Sequence, residues 1–121
     1  MRFQTLDVGG LAAALAAEKR PFVLDVRSRG EFEAGHLPGA HNVPVHEMAR
    51  RMRDLPAVRI ARILVVGEPG KRSEAAVTWL VLMGYADVAL VEGGIAAYAG
   101  ALETGAAPAP PARGPELRVI S

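Results

Sequence analysis

Cysteine is absent from the 121 residues, which excludes disulfides, thiolate metal ligands and any thiol redox step made by the chain's own atoms. A surplus of charge is missing too. Lys and Arg number 14 against 13 Asp and Glu, and no basic block exceeds two residues, so the electrostatic footprint that holds nucleic acid is not there. The longest uncharged apolar stretch, Ala75 to Ala86, falls short of the roughly 20 residues that span a bilayer as a helix. The opening MRFQTLDVGG has no basic segment leading into an apolar one, unlike a leader sequence. These absences predict a soluble, cytoplasmic protein with neither nucleic acid nor membrane as partner. The length suits one core that folds without staples.

What is present alternates between strand and helix patterns. Arg2 to Gln4 reads as a short strand, and Val8 to Ala17 as a helix with leucines at 11 and 15 that Pro21 follows. Phe22 to Val26, apolar except at Asp25, and Ile63 to Val66 read as short apolar runs of strand length, as parallel strands covered on both faces do. His41 to Val43 reads as a further strand, and Glu47 to Leu55 as a basic surface helix whose Met48, Met52 and Leu55 face inward for core packing. Ser73 to Met83 is expected to be a helix with Ser73 as N-cap and Gly84 as its stop. Val88 to Val91 supplies the last central strand, and Gly93-Gly94 turns into a small helix over Ile95 to Leu102. The fold class predicted is α/β, a single domain with a mainly parallel five-stranded sheet flanked by helices. The domain is expected over 1–102. The stretch ETGAAPAPPARGP, Glu103 to Pro115, opens a Pro/Ala/Gly-rich tail over 103–121, in which Leu117 to Ile120 has the alternative of docking as an edge strand.

One loop stands out. In open parallel sheets ligands sit beyond the carboxyl ends of the strands, and Ile63–Val66 delivers GEPGKRS, Gly67 to Ser73, to that place immediately before a helix. Successive backbone N–H groups, the helix dipole, Lys71 and Arg72 together suit an anion. The eight-residue frame of a nucleotide-binding P-loop is not met.

LDVRSRGEFEAGHLPGAHNVP, Leu24 to Pro44, and VEGGIAAY, Val91 to Tyr98, resemble the two signatures of the rhodanese family of sulfurtransferases, with Tyr98 where the family has Trp. The resemblance spans roughly Gln4 to Leu102. It implies a loop of pattern C-x-x-G-x-R-[ST], onto which Gly70, Arg72 and Ser73 fall, with Gly67 in the place of the cysteine. In active members that thiolate takes a sulfur from thiosulfate as a persulfide and passes it on. Glycine has no atom for this step, and Ser73 is expected to spend its oxygen on backbone N–H groups as an N-cap rather than to act as a nucleophile, no His or Asp to activate it being evident in the sequence. Glu68 adds negative charge to the cradle and Pro69 removes a donor from it. The spacing between position 67 and Arg72 resembles the sulfurtransferase loop rather than the longer phosphatase one.

Asp25, Arg27 and Glu31 are expected to fix the turn after the second strand by hydrogen bonds and ion pairs rather than to act as acid and base. Gly35, Gly39, Gly93 and Gly94 are expected to serve backbone geometry at positive φ. His36, His41 and His46 recur every five residues, a spacing that brings ligands to one face of neither helix nor strand. His36 belongs to the family signature, and no metal or cofactor is expected. The predicted function is a catalytically inactive rhodanese-like domain that binds a small anion or a protein partner through the loop of Gly67, Glu68, Gly70, Lys71, Arg72 and Ser73. Two alternatives stand beside it: sulfur transfer with a thiol or persulfide supplied by a partner, and a fold retained for oligomerisation.

Overall fold

The computed structural model describes residues 4–67, 71–98 and 100–106. Its elements are β1 (Gln4–Leu6), α1 (Val8–Ala16), β2 (Phe22–Asp25), α2 (Arg29–Ala34), β3 (His41–Asn42), β4 (Arg62–Val66), α3 (Lys71–Leu82) and β5 (Asp87–Val91), with short 3-10 turns at Val45–Glu47, Met52–Asp54 and Gly94–Ala97. The five strands lie in the order β1-β5-β4-β2-β3, and each neighbouring pair is parallel. Register places Leu24 beside Val65 and Leu64 beside Ala89.

The unbroken apolar runs have a direct explanation, since alternate side chains of each strand go to opposite faces and both faces are covered. Leu24, Ile63, Val65 and Val88 point to one side, where Ala76, Val77 and Leu80 of α3 meet them with Met48 and Leu55. Val23, Leu64, Val66, Ala89 and Val91 point to the other, against Leu11 of α1, Phe32 of α2 and Leu37. Leu64 is fully buried, and truncating such a residue to Ala costs about 2–5 kcal/mol.

Helix ends follow from local chemistry. Asp7 caps α1 through Oδ1, which accepts from the Gly10 N–H at 2.8 Å. At α2, Ser28 Oγ accepts from the Glu31 N–H while Glu31 Oε1 accepts from the Ser28 N–H, a reciprocal capping box. α3 ends at Gly84, whose φ of 97° only glycine adopts without strain. Beyond it Arg59 lies 4.5 Å over the Tyr85 ring and donates to the Met83 carbonyl, which holds the segment before β4 against the end of α3.

Several expectations are corrected. The basic helix over 47–55 is two 3-10 turns joined by an irregular stretch, because Arg51 leaves helical geometry at φ −112° and ψ 30°. Met48 and Leu55 are buried as expected, but Met52 is exposed, since the broken helix turns it away from the stripe. Ser73 is not an N-cap: α3 begins at Lys71, which puts Ser73 inside the first turn. The helix over 95–102 is a 3-10 turn of four residues. Gly39, Gly93 and Gly94 have positive φ, whereas Gly35 at φ 171° is extended backbone; what its missing side chain leaves room for is Leu102, whose Cδ1 would stand 3.1 Å from a Cβ. α2 was not foreseen. Arg2 and Phe3 of the expected first strand, and Leu117 to Ile120, lie outside the described residues. Glu103 is held on the domain, exchanging backbone hydrogen bonds of 2.9 Å with His36 in both directions, and the Gly105 N–H donates to the Glu33 carbonyl.

Candidate functional site

The carboxyl ends of β2 and β4 lie side by side, joined by the Val26 N–H donating to the Val66 carbonyl at 3.0 Å, and each hands the chain to a helix. After β2 the backbone is fixed by Asp25 and Arg27. The Asp25 carboxylate accepts from the Arg27 backbone N–H at 3.0 Å and pairs with its guanidinium at 2.8 Å, and the same guanidinium donates to the Gly35 carbonyl at 2.6 Å. Both residues are buried, and their charges are matched within the pair. Asn42 adds a strut: its side-chain amide donates to the carbonyls of Asp25 and Arg27.

After β4 comes Gly67, buried, with its carbonyl accepting from the Ile95 N–H at 3.2 Å. Its φ is not in the left-handed region, so the backbone itself admits a side chain. The space is what is taken: a Cβ on Gly67 would collide with Ser73 Oγ and come within 3.3 Å of Val26 Cγ2. Ser73, buried in the first turn of α3, thus stands over the position that the resemblance assigns to a nucleophile. Glu68, Pro69 and Gly70 lie outside the described residues. Lys71 opens α3.

Arg72 is the next residue of the same helix, and a partner of its side chain comes from a distant part of the chain. Its guanidinium makes a two-point pair with Glu31, 2.8 Å from Oε1 and 3.1 Å from Oε2. The Arg72 hydrogen bonds, followed by the Ser28 backbone N–H, lower the Glu31 pKa from 4.5 to about 2. Glu31 therefore serves two helices at once, capping α2 and holding Arg72 at the start of α3. The side chains are 42% and 36% exposed, so solvent screens the pair and limits its worth to about 1 kcal/mol.

A second ionic cluster stands on the segment after β3. Glu47 is buried, with Arg29 at 2.7 Å, Arg51 at 3.3 Å, Arg50 at 3.4 Å and His46 at 3.6 Å around its carboxylate. Burial raises the Glu47 pKa, but the Arg51 hydrogen bond and the charges of Arg29, Arg50 and Arg51 outweigh it and leave the group below its ordinary value. This cluster escaped the sequence reading, because one glutamate among arginines looks like a solvated face. The capping box of Ser28 and Glu31 was readable as S-x-x-E.

The three histidines go to three places. His36 is stacked on Phe32 at 3.7 Å between ring centres and donates through Nδ1 to the Phe32 carbonyl at 2.7 Å. His41 is stacked on Phe22 at the opposite end of the strands, and His46 is exposed. Among the described residues no group of three His, Asp or Glu side chains is placed to hold a metal ion. No helix among them is long and apolar enough to cross a membrane.

Known proteins are similar to this chain. A protein from Allochromatium vinosum named sulfurtransferase is 31% identical over 94 residues, 78% of this chain and 86% of that one. The thiosulfate sulfurtransferase GlpE of Pseudomonas putida is 36% identical over 83 residues, 69% of this chain and 74% of it. A rhodanese-like domain protein from Staphylococcus aureus has the same fold, with a TM-score of 0.75 at 25% identity over 86% of this chain and 100% of that one. With the match to the family running through residues 9–101, from α1 past the turn after β5, the chain belongs to the rhodanese-like domain family.

Proposed function

We propose that this rhodanese-like domain does not transfer sulfur by itself and acts as a binding or regulatory module through the face around Gly67 and Arg72. The observation that carries it is the Gly67–Ser73 contact. Gly67 offers no thiolate, the chain has no cysteine elsewhere, and the volume a nucleophile's Cβ needs is held by Ser73 Oγ. A persulfide has no atom on which to form.

The binding half rests on what remains. Arg72 stays at the N-terminal turn of a twelve-residue helix, oriented by the two hydrogen bonds it donates to Glu31. Its pairing with Glu31 weakens what it offers a small anion. An acidic side chain of a partner protein, competing with Glu31 while gaining other contacts, fits this geometry better than a free oxyanion. Titration of the chain with sodium thiosulfate, followed by backbone amide shifts, tests the face. Weak, roughly millimolar binding that moves Arg72, Ser73 and Ile95 is expected of a few exposed charge-assisted hydrogen bonds. Shifts confined to other surfaces would remove this face from consideration.

A further inference from the structure

At the amino ends of the strands, away from Gly67, lies a cavity of about 640 Å³ that the sulfur chemistry does not use. β4 separates the two ends: Arg62 opens the strand and lines the cavity, Gly67 follows its last residue, and five residues of strand span about 16 Å. Lys19, Arg20 and Arg62 contribute its cationic lining, and Phe22 and His41 an aromatic wall of two parallel rings 4.4 Å apart and inclined by 9°. None of its described lining residues is acidic.

Arg20 is held in position. Its guanidinium donates to the Pro38 carbonyl and packs against Gly39, where a Cβ would stand 2.8 Å from Nη1; the positive φ of 74° at Gly39 is a second reason for glycine there. Of the acids nearby, Asp54, whose charge is felt at His41 and opposes the lowering of its pKa, pairs with Arg51 at 2.8 Å. Asp87 is 3.8 Å from Arg62, a long and half-exposed pair, and Glu103 accepts from the Gly39 N–H at 3.1 Å. A second hollow of about 350 Å³ adjoins the first, sharing Lys19, Pro21 and Arg62 and continuing along Gly10, Ala13 and Ala14 of α1. Positive charge therefore sits where an aromatic wall and a small-residue groove meet.

We propose that this cavity binds a small amphiphilic anion, its phosphate, sulfate or carboxylate head held by Lys19, Arg20 and Arg62 and its flat apolar body lying against Phe22 and His41. Phe22 and His41 cover each other's inner faces, and a planar ring suits what the pair leaves open, an outer face or an edge, because offset stacking and edge-to-face contact add attraction beyond area burial. The three cations suit a doubly charged head, for which the arginines provide paired donors and Lys19 a point charge. Burial, and then the charge of Arg20, lower the His41 pKa, in keeping with an imidazole that serves the wall as a neutral ring.

Phenyl phosphate is the probe, with inorganic phosphate and phenol as its two halves, each titrated into the full chain and followed by amide shifts. The expected result is saturable movement of Lys19, Val23, His41 and Arg62 by phenyl phosphate, with phosphate and phenol each weaker by about tenfold, the loss of one group of contacts. Lys19→Gln/Arg62→Gln should weaken phenyl phosphate by about tenfold or more. Lys19→Gln alone, a change at an exposed residue, should weaken it by about threefold if the double variant does not fold. No saturable shift, shifts at Ser73 and Ile95 instead, or unchanged affinity in Lys19→Gln would overturn the assignment.

Discussion

Ser73 Oγ stands so close to Gly67 that the first carbon of a side chain there would collide with it. The two residues belong to different elements, the end of β4 and the first turn of α3, and their contact follows from placing a buried serine on the inner face of that turn. It changes what a substitution at 67 has to overcome: backbone geometry permits a side chain, and Ser73 and Val26 are its nearest obstacles among the described residues.

Gly67→Ala therefore destabilises the wild-type chain by about 1–3 kcal/mol through overpacking, and by less when Ser73 is already Ala. In a chemical-denaturation cycle over the four proteins, a coupling of about 1 kcal/mol or more is expected for residues in contact. Additive effects would mean that Ser73 does not fill the space.

Glu31→Gln breaks the ion pair with Arg72 and leaves the capping geometry of α2 nearly intact. At pH 7 the loss is about 1 kcal/mol, as for a half-exposed pair. The folded-state pKa of Glu31, about 2, lies below the ordinary 4.5, so this stabilisation is complete above pH 4.5 and disappears as pH falls through about 2. Parallel melts of the two proteins from pH 7 down to 2 should converge. A constant difference across that range would contradict the pairing.

The same variant releases Arg72 for an anion. Thiosulfate affinity should rise by about three- to tenfold in Glu31→Gln, the equivalent of roughly 1 kcal/mol, and vanish in Arg72→Ala. Isothermal titration at low ionic strength reads both. Equal affinity in wild type and Glu31→Gln would show that Glu31 does not compete at this face.

Ending the chain at Leu102 removes the Glu103 and Gly105 backbone bonds to His36 and Glu33. His36 is buried, so its N–H and carbonyl lose their partners, and a fall in stability of about 1–3 kcal/mol is expected for groups left unsatisfied. Denaturant midpoints of the chains ending at 102 and 106 measure it.

The sheet was legible because its signal is local. Phe22 to Leu24 and Ile63 to Val66 are apolar at every position, as strands are when both faces are covered, and both are. Asp25 and Arg27 sit two residues apart, so their mutual pairing was also within reach. Glu31 and Arg72 are 41 residues apart, and His36 meets Glu103 from beyond the expected domain end; nothing local marks such partners. Met52 was misplaced because helical spacing assumes a continuous helix, and the chain breaks at Arg51. Serine favours the N-cap position, so local sequence points to a helix start at Ser73, while α3 begins two residues earlier.

Gly67→Cys tests how much of the sulfur-binding scaffold persists. The new thiol would lie at the N-terminal end of α3 near Arg72, which favours its thiolate. That thiolate attacks the outer sulfur of thiosulfate, forming a new S–S bond as sulfite leaves with the electron pair of the old one. Because Ser73 must first rotate away, Gly67→Cys/Ser73→Ala should gain one sulfur, read by intact mass, faster than Gly67→Cys. Equal rates would remove Ser73 as the obstacle.

The most direct measurement is turnover of thiosulfate and cyanide to thiocyanate by the unmodified chain, against the same protein heat-denatured and against a chain carrying Gly67→Cys/Ser73→Ala. With no thiolate to form the persulfide, the unmodified chain should match its denatured control while the double variant exceeds it. Thiocyanate formed by the unmodified chain clearly above that control would contradict the account.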